Sequence, residues 1–224
     1  QHRYHLTYDI PRTPAVRADI RHYLRQKMMP EITAKLGDQT PTFFYGNFDR
    51  QHKRWTTFGQ QPRYSTEYVG LRGRLAILSE AYSYVSYKKR IKATEAFVSA
   101  CIEFAFGHEE EIKSLLAASS ELESLPIRSQ LTKLPEKVVV RGYDGENRSE
   151  KAEQKKPKDY SVDHYAVYEG THSIDVPDAY VIPYDMSRYV DRLLMHGIQV
   201  QRLTETREVQ GNLRTVKQLK RAST

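Results

Sequence analysis

Glu80 is the residue of this sequence best placed, by type and setting, to do chemistry. It follows the run Leu75-Ala-Ile-Leu78 and Ser79. Four consecutive apolar residues between polar ones predict a strand over Leu71–Ala81 covered on both faces, as in a parallel α/β sheet. In open α/β sheets the ligand crevice lies outside the carboxyl ends of the strands, so this pattern delivers a carboxylate to the usual place for an active site. A carboxylate there can act as a general base. The bland alternative is a solvated strand end or a helix cap. Tyr64, Tyr68, Tyr82, Tyr84, Arg72 and Arg74 stand close by in sequence and offer aromatic walls and cations.

The run Thr66-Glu-Tyr-Val-Gly-Leu-Arg-Gly-Arg-Leu-Ala-Ile-Leu-Ser-Glu-Ala-Tyr82 resembles the segment of zinc carboxypeptidases (carboxypeptidase A-like metallopeptidases) that carries the catalytic glutamate. The resemblance extends from about His2 to Leu116, with a similar tail around Ala179 to Leu203. It implies the C-terminal part of a carboxypeptidase-like mixed α/β sheet flanked by helices, with peptide or protein as substrate. Glu80 would be the general base for the zinc-bound water. Tyr68, or Tyr64, would hydrogen-bond the substrate from a loop, and Arg72 would bind its oxyanion or terminal carboxylate. A secreted or periplasmic location goes with the same resemblance.

The sequence also departs from that family. No His-x-x-Glu pair precedes Glu80, no third histidine stands in the right context, and the family's carboxylate-binding arginine and Asn-Arg pair have no match. His108-Glu-Glu-Glu111 has the formal spacing but follows the base instead of preceding it, at a helix start where acids favour the dipole. His2 and His5, three apart on a strand, would point to opposite faces and could not share one ion. Zinc needs three protein ligands and an open position. The chain is therefore expected to supply the base without the metal and to be inactive alone, with zinc and the carboxylate clamp supplied by an upstream segment of the same polypeptide.

Positioning Glu80 falls to the elements around it. Tyr4–Tyr8 reads as a short strand. Thr13-Pro14 reads as a helix start, with Val16, Ile20, Tyr23, Leu24 and Met28 at helical spacing and Pro30 as the stop. Thr42–Phe48 and Arg54–Phe58 read as β segments joined by a polar connection. Lys88–Phe106 is amphipathic, with Ile91, Val98, Cys101, Ile102 and Ala105 as the expected inner stripe, joined by Phe97 and Phe104, and Gly107 as the stop. A second helix is expected over Glu109–Ala117.

These elements define a first domain over residues 1–118. Residues 119–224 read as a smaller α/β accessory domain. Ser119–Glu136 is expected as a polar connector, Lys137–Arg141 as a strand and Gly142–Gly145 as a turn. Asn147–Asp159 reads as a mobile charged loop and Val162–Tyr168 as a strand. A β-α-β unit is expected over Ala179–Ile182, Asp185–His196 and Ile198–Leu203, and Glu208–Leu219 is ambiguous between strand and helix.

Composition narrows the function classes. The chain has 35 Lys and Arg against 28 Asp and Glu, a net charge of +7 and a pI near 9.3. Residues 1–118 hold 18 cations and 12 acids, so the excess lies in the half containing Glu80. Such a surface attracts anions, and the rival reading is a non-catalytic basic module for nucleic acid or another anionic partner. The regular RNA-binding signatures are missing, so nucleic acid is not the expected partner. A third reading is a non-catalytic interaction protein descended from the peptidase. No apolar run reaches membrane-spanning length. The opening Gln-His-Arg has no apolar signal core, and the chain is expected to be a piece of something longer. The single cysteine, Cys101, excludes an internal disulfide and reads as a buried thiol.

Overall fold

The structure is a computed structural model that describes residues 2–118, 123–144 and 155–212. The chain divides into two compact units, 1–176 and 177–224. The first is a mixed α/β unit with two mixed sheets.

Strand β1 (Leu6–Asp9) is the centre of the smaller sheet, parallel to β2 (Thr42–Phe44) and antiparallel to β5 (Leu78–Ala81). Every residue of β1 is buried. Leu6 and Tyr8 face a core built with Ile20, Leu24, Met29 and Ile32 from the first helical segment and Phe97 and Phe104 from helix α4 (Tyr87–Gly107).

That first helical segment does not stop at Pro30. Helix α1 (Ala18–Tyr23) passes into a π-helical turn, Leu24–Met28, and on into α2 (Met29–Leu36), with Pro30 in the first turn of α2. A proline inside a regular helix removes one hydrogen bond and clashes with the carbonyl four residues back. The wider π turn just before it relieves both demands. The segment ends at Gly37, whose φ of +52° lies where glycine is favoured.

The expected strand over Leu71–Ala81 is the main correction. Helix α3 (Ser65–Leu71) runs into its first residue, Gly73 turns the chain at φ +69°, and only Leu78–Ala81 forms a strand. Strand β5 ends the sheet order β2-β1-β5 and is paired antiparallel to β1, so Leu75–Leu78 are half-buried instead of covered on both faces. An apolar run of four does not distinguish a central strand from an edge whose one side rests on a core. Leu75 and Ile77 pack on that core.

The larger sheet contains β3 (Asn47–Phe48), β4 (Arg54–Thr56), β6 (Ser124–Lys133), β7 (Val138–Tyr143) and β8 (Pro157–Asp175). β8 runs parallel to β4 and antiparallel to both β6 and β7. Residues on either side of position 118 therefore share one sheet, within the first unit. Ser124–Lys133, expected as a connector, is a strand. Its apolar positions are broken by register shifts after Pro126, Arg128 and Thr132, which hide the period of two. Gly142 and Tyr143, expected in a turn, close β7. Of the charged span Asn147–Asp159, residues 147–154 lie outside the described residues, and Pro157–Asp159 already belong to β8. Trp55, Tyr4, Val140 and Val162 form this sheet's own core.

Helix α5 (Glu109–Ala117) has the bounds its sequence predicts, with Glu109, Glu110 and Glu111 in its first turn. In the second unit no strand occurs among the described residues. Ala179–Ile182 and Ile198–Leu203 are not strands, and the helical part is a 3-10 turn, Tyr184–Tyr189, followed by α6 (Val190–Met195). The expected β-α-β unit does not occur among the described residues there. Glu208–Asn212 is irregular, and the rest of the ambiguous Glu208–Leu219 stretch lies outside the described residues. Among the described residues, no helix is long and apolar enough to cross a membrane.

His164, on β8, is only 1% exposed and rests against Phe43 and Phe44. Its Nε2 has no hydrogen-bond partner among the described residues. Burial pushes its pKa down to about 4 from 6.5. A histidine neutral when folded and titrating near 6.5 when unfolded favours the folded state fully above that pH. The preference fades as pH falls towards 4. His164→Leu, close in volume, should therefore flatten the loss of stability between pH 6.5 and pH 4, measured by urea unfolding across that range. An acid limb as steep as in the parent would show that His164 is not held neutral.

Candidate active site

Strand β5 brings Glu80 opposite Thr7 of β1, and its side chain is exposed. It lines a cavity of about 600 Å³. The β3–β4 hairpin and His2, ahead of β1, also contribute to its lining. His2, Tyr45, His52, Trp55 and Tyr82 are among the lining groups.

Local sequence explains each wall. The hairpin turns through Asp49, whose Oδ1 accepts hydrogen bonds from the backbone N–H of Lys53 (2.7 Å) and Arg54 (3.1 Å). This is the turn-forming use of aspartate. It sets His52 at φ +52° and leaves Arg50 exposed on the cavity lining. Gly46 lies against the Trp55 indole, where an added Cβ would sit 2.5 Å from Nε1. The indole N–H donates to the Phe44 carbonyl at 3.0 Å.

Tyr82 follows Glu80 by two residues and so lies on the same side of the chain. Its N–H donates to the His5 carbonyl at 3.0 Å. Its ring lies 4.1 Å from that of His2, and burial pushes the phenol up to about 12. His2 sits in an isolated bridge to Gly142, and burial takes its pKa down to about 4. The cavity therefore sets the carboxyl group of Glu80 in a lining that includes an imidazole and a phenol held neutral near neutral pH, together with Asp49, Arg50 and Lys155. That set can accept a proton from water and hydrogen-bond a polar substrate group.

The other residues singled out by sequence lie elsewhere. Tyr64 caps the start of α3 and meets Phe58 edge-on at 4.9 Å. Tyr68 is on α3 instead of a loop and is 38% exposed. Arg72 ends that helix. None of the three lines the cavity that Glu80 lines. Reasoning from nearness along the chain missed Tyr45, Arg50 and His52, because they arrive from the hairpin by tertiary packing. The only local signal was the polar Asp49–Lys53 connection between two β segments.

Among the described residues, no three of His, Cys, Asp and Glu stand close enough to hold a metal ion. His108 and Glu111 are engaged otherwise: the His108 ring stacks on Phe104 at 4.1 Å and pairs with Glu31 at 3.7 Å, and Glu111 pairs with Lys27. Cys101 is half-buried, and burial pushes its thiol up to about 11.

A second polar cluster lies under α3. Arg12 and Glu67 are 2% and 0% exposed, and Asp9 is 2% exposed. Arg12 Nε donates to Glu67 Oε1 at 2.9 Å, and its Nη1 donates to Asp9 Oδ2 at 2.6 Å and Thr57 Oγ1 at 2.9 Å. Its Nη2 donates to the Gly59 carbonyl, while the N–H groups of Arg12 and Thr13 donate to the Glu67 carboxylate. The guanidinium also lies 3.9 Å from the centre of the Phe58 ring. This network ties the end of β1, the loop after β4 and α3 into one block. Burial pushes both carboxyls up, and Arg12 and the donating N–H groups pull against it.

Comparison of the chain with protein families, characterised proteins and solved structures finds no match.

Proposed function

We propose that this chain supplies the base-bearing wall of a peptidase active site of the zinc-carboxypeptidase type, with Glu80 as general base. The supporting observation is the placement of Glu80. It is an exposed carboxylate on an edge strand, lining a cavity beside the neutral groups Tyr82 and His2. A base must reach water and substrate before its pKa matters, and an exposed carboxylate on a cavity lining supports that role. The resemblance around Thr66–Tyr82 supplies the reaction class: hydrolysis of a C-terminal peptide bond.

The metal of that family does not fit the described residues of this chain, since no cluster of three possible ligands occurs among them. This reading assigns the ligands, and the clamp for the substrate carboxylate, to an upstream segment of the same polypeptide. What this chain's residues do is narrower. Glu80 takes a proton from the attacking water and returns it to the departing amine. Tyr82, held un-ionised, is a hydrogen-bond donor at the same wall. Of the substrate-binding residues read from sequence, Tyr68, Tyr64 and Arg72 do not share the cavity lining, and the cations that do are Arg50 and Lys155.

The test uses the polypeptide carrying the upstream segment, with peptides that differ only in a free or amidated C-terminus. The free acids should lose their last residue and the amides should not. Equal cleavage of both, or of neither, contradicts the reading. Salt-sensitive binding of RNA or DNA without hydrolysis would favour the basic-module alternative.

A further inference from the structure

Helix α4 is apolar on two opposite faces. Ala93, Phe97, Ala100 and Phe104 are buried in the core. Ile91, Val98, Ile102 and Phe106 fall on the other side, at 51%, 45%, 64% and 83% exposure. Their spacings of seven, four and four residues keep them on one stripe of a helix with about 3.6 residues per turn. Tyr87, 75% exposed, extends the stripe by one turn. A helix apolar all round is normally buried on both sides, and a contiguous exposed stripe of this kind marks a contact surface.

Charge on this surface indicates what covers it. The first turns of α4 carry Lys88 and Lys92, flanking this stripe, and neither forms an ion pair among the described residues. The far end carries the acids Glu109 and Glu110 at the start of α5, with exposed side chains; both share Lys113 as a partner, which leaves an excess of acid there. One end is basic and the other acidic, with an apolar stripe between them. Such a surface is complementary to itself when turned end for end.

We propose that this outer face of α4 is the contact of a two-fold symmetric dimer of the chain, two copies of the helix packing antiparallel. A two-fold contact uses the same patch on both partners. Setting Ile91 of each copy opposite Phe106 of the other puts the axis between positions 98 and 99, so that Val98 lies beside its own counterpart. The same register brings the basic first turns of α4 towards the acidic α4–α5 junction of the partner. The inference stands apart from the peptidase reading, because α4 lines no part of the Glu80 cavity.

The test is sedimentation velocity on the full chain, together with cysteine cross-linking in a Cys101→Ser background. The parent should dimerise as concentration rises. Ile102→Asp should weaken dimerisation roughly thirtyfold or more, as for a central interface side chain, with circular dichroism unchanged because Ile102 is already exposed. High salt and Lys88→Glu should each weaken it further. Under mild oxidation Val98→Cys should join two copies. Ile91→Cys should not, because its counterparts would be 15 positions apart, roughly 22 Å along the axis, far beyond disulfide reach. A chain that stays monomeric, a dimer indifferent to Ile102→Asp, or equal cross-linking through Ile91→Cys would overturn the proposal.

Discussion

Arg12→Met should destabilise the first unit by about 3–5 kcal/mol at neutral pH, the usual cost of removing one partner from a buried ion cluster. The side chain of Arg12 is fully buried and answers two carboxylates, one hydroxyl and one carbonyl. Methionine fills much of the same volume and lies as well against Phe58, so the change isolates the charge. What remains is Asp9 and Glu67 with no cation between them. Burial already pushes both carboxyls up, and without the guanidinium they should bind protons more readily still in the folded state. The deficit of the variant should therefore shrink as pH falls towards the carboxylate range, since the neutral acids no longer suffer the buried-charge penalty. Urea unfolding of parent and variant over a pH series measures this directly. A loss below about 1 kcal/mol, the range of exposed pairs, would mean that the cluster is solvated.

The same cluster shows what could be read from the sequence and what could not. Helix α5, α4 and the short strands around Thr42 and Arg54 follow from local periodicity and turn residues. Which face of α4 points inward does not follow. Ile91, Val98 and Ile102, expected inside, lie outside, while Ala93 and Ala100 are buried. Small residues carry little weight in a hydrophobic pattern, yet they are what lets a helix approach a sheet closely. Asp9, Arg12 and Glu67 gave no signal either: Asp9 and Arg12 are three apart, but the groups that bury the pair are distant in sequence, 45 positions for Thr57 and 55 for Glu67. A charged residue in isolation reads as surface. Pro30 read as a stop because the π turn that accommodates it has no local signature. At the site, Glu80 could be picked out by its setting after an apolar run. Its neighbours in space come from the hairpin around Asp49 and from His2, and only the folded sheet order brings them together. Tyr64, Tyr68 and Arg72 were chosen for nearness in the chain, and α3 carries them away from the cavity.

Glu80→Gln is the most direct test of the account. Glutamine keeps the size and polarity of the side chain and removes its ability to accept a proton from water. In a polypeptide that carries the proposed upstream segment, kcat/KM for release of the C-terminal residue should fall roughly a hundredfold to ten-thousandfold, the contribution of a positioned general base. Thermal unfolding should be unchanged, because Glu80 is exposed on an edge strand and makes no ion pair among the described residues. KM should move little, since the carboxylate acts on the attacking water more than on the bound peptide. A variant that unfolds normally and hydrolyses peptides at a much reduced rate is the result this account predicts, and undiminished hydrolysis by a folded Glu80→Gln protein would contradict it.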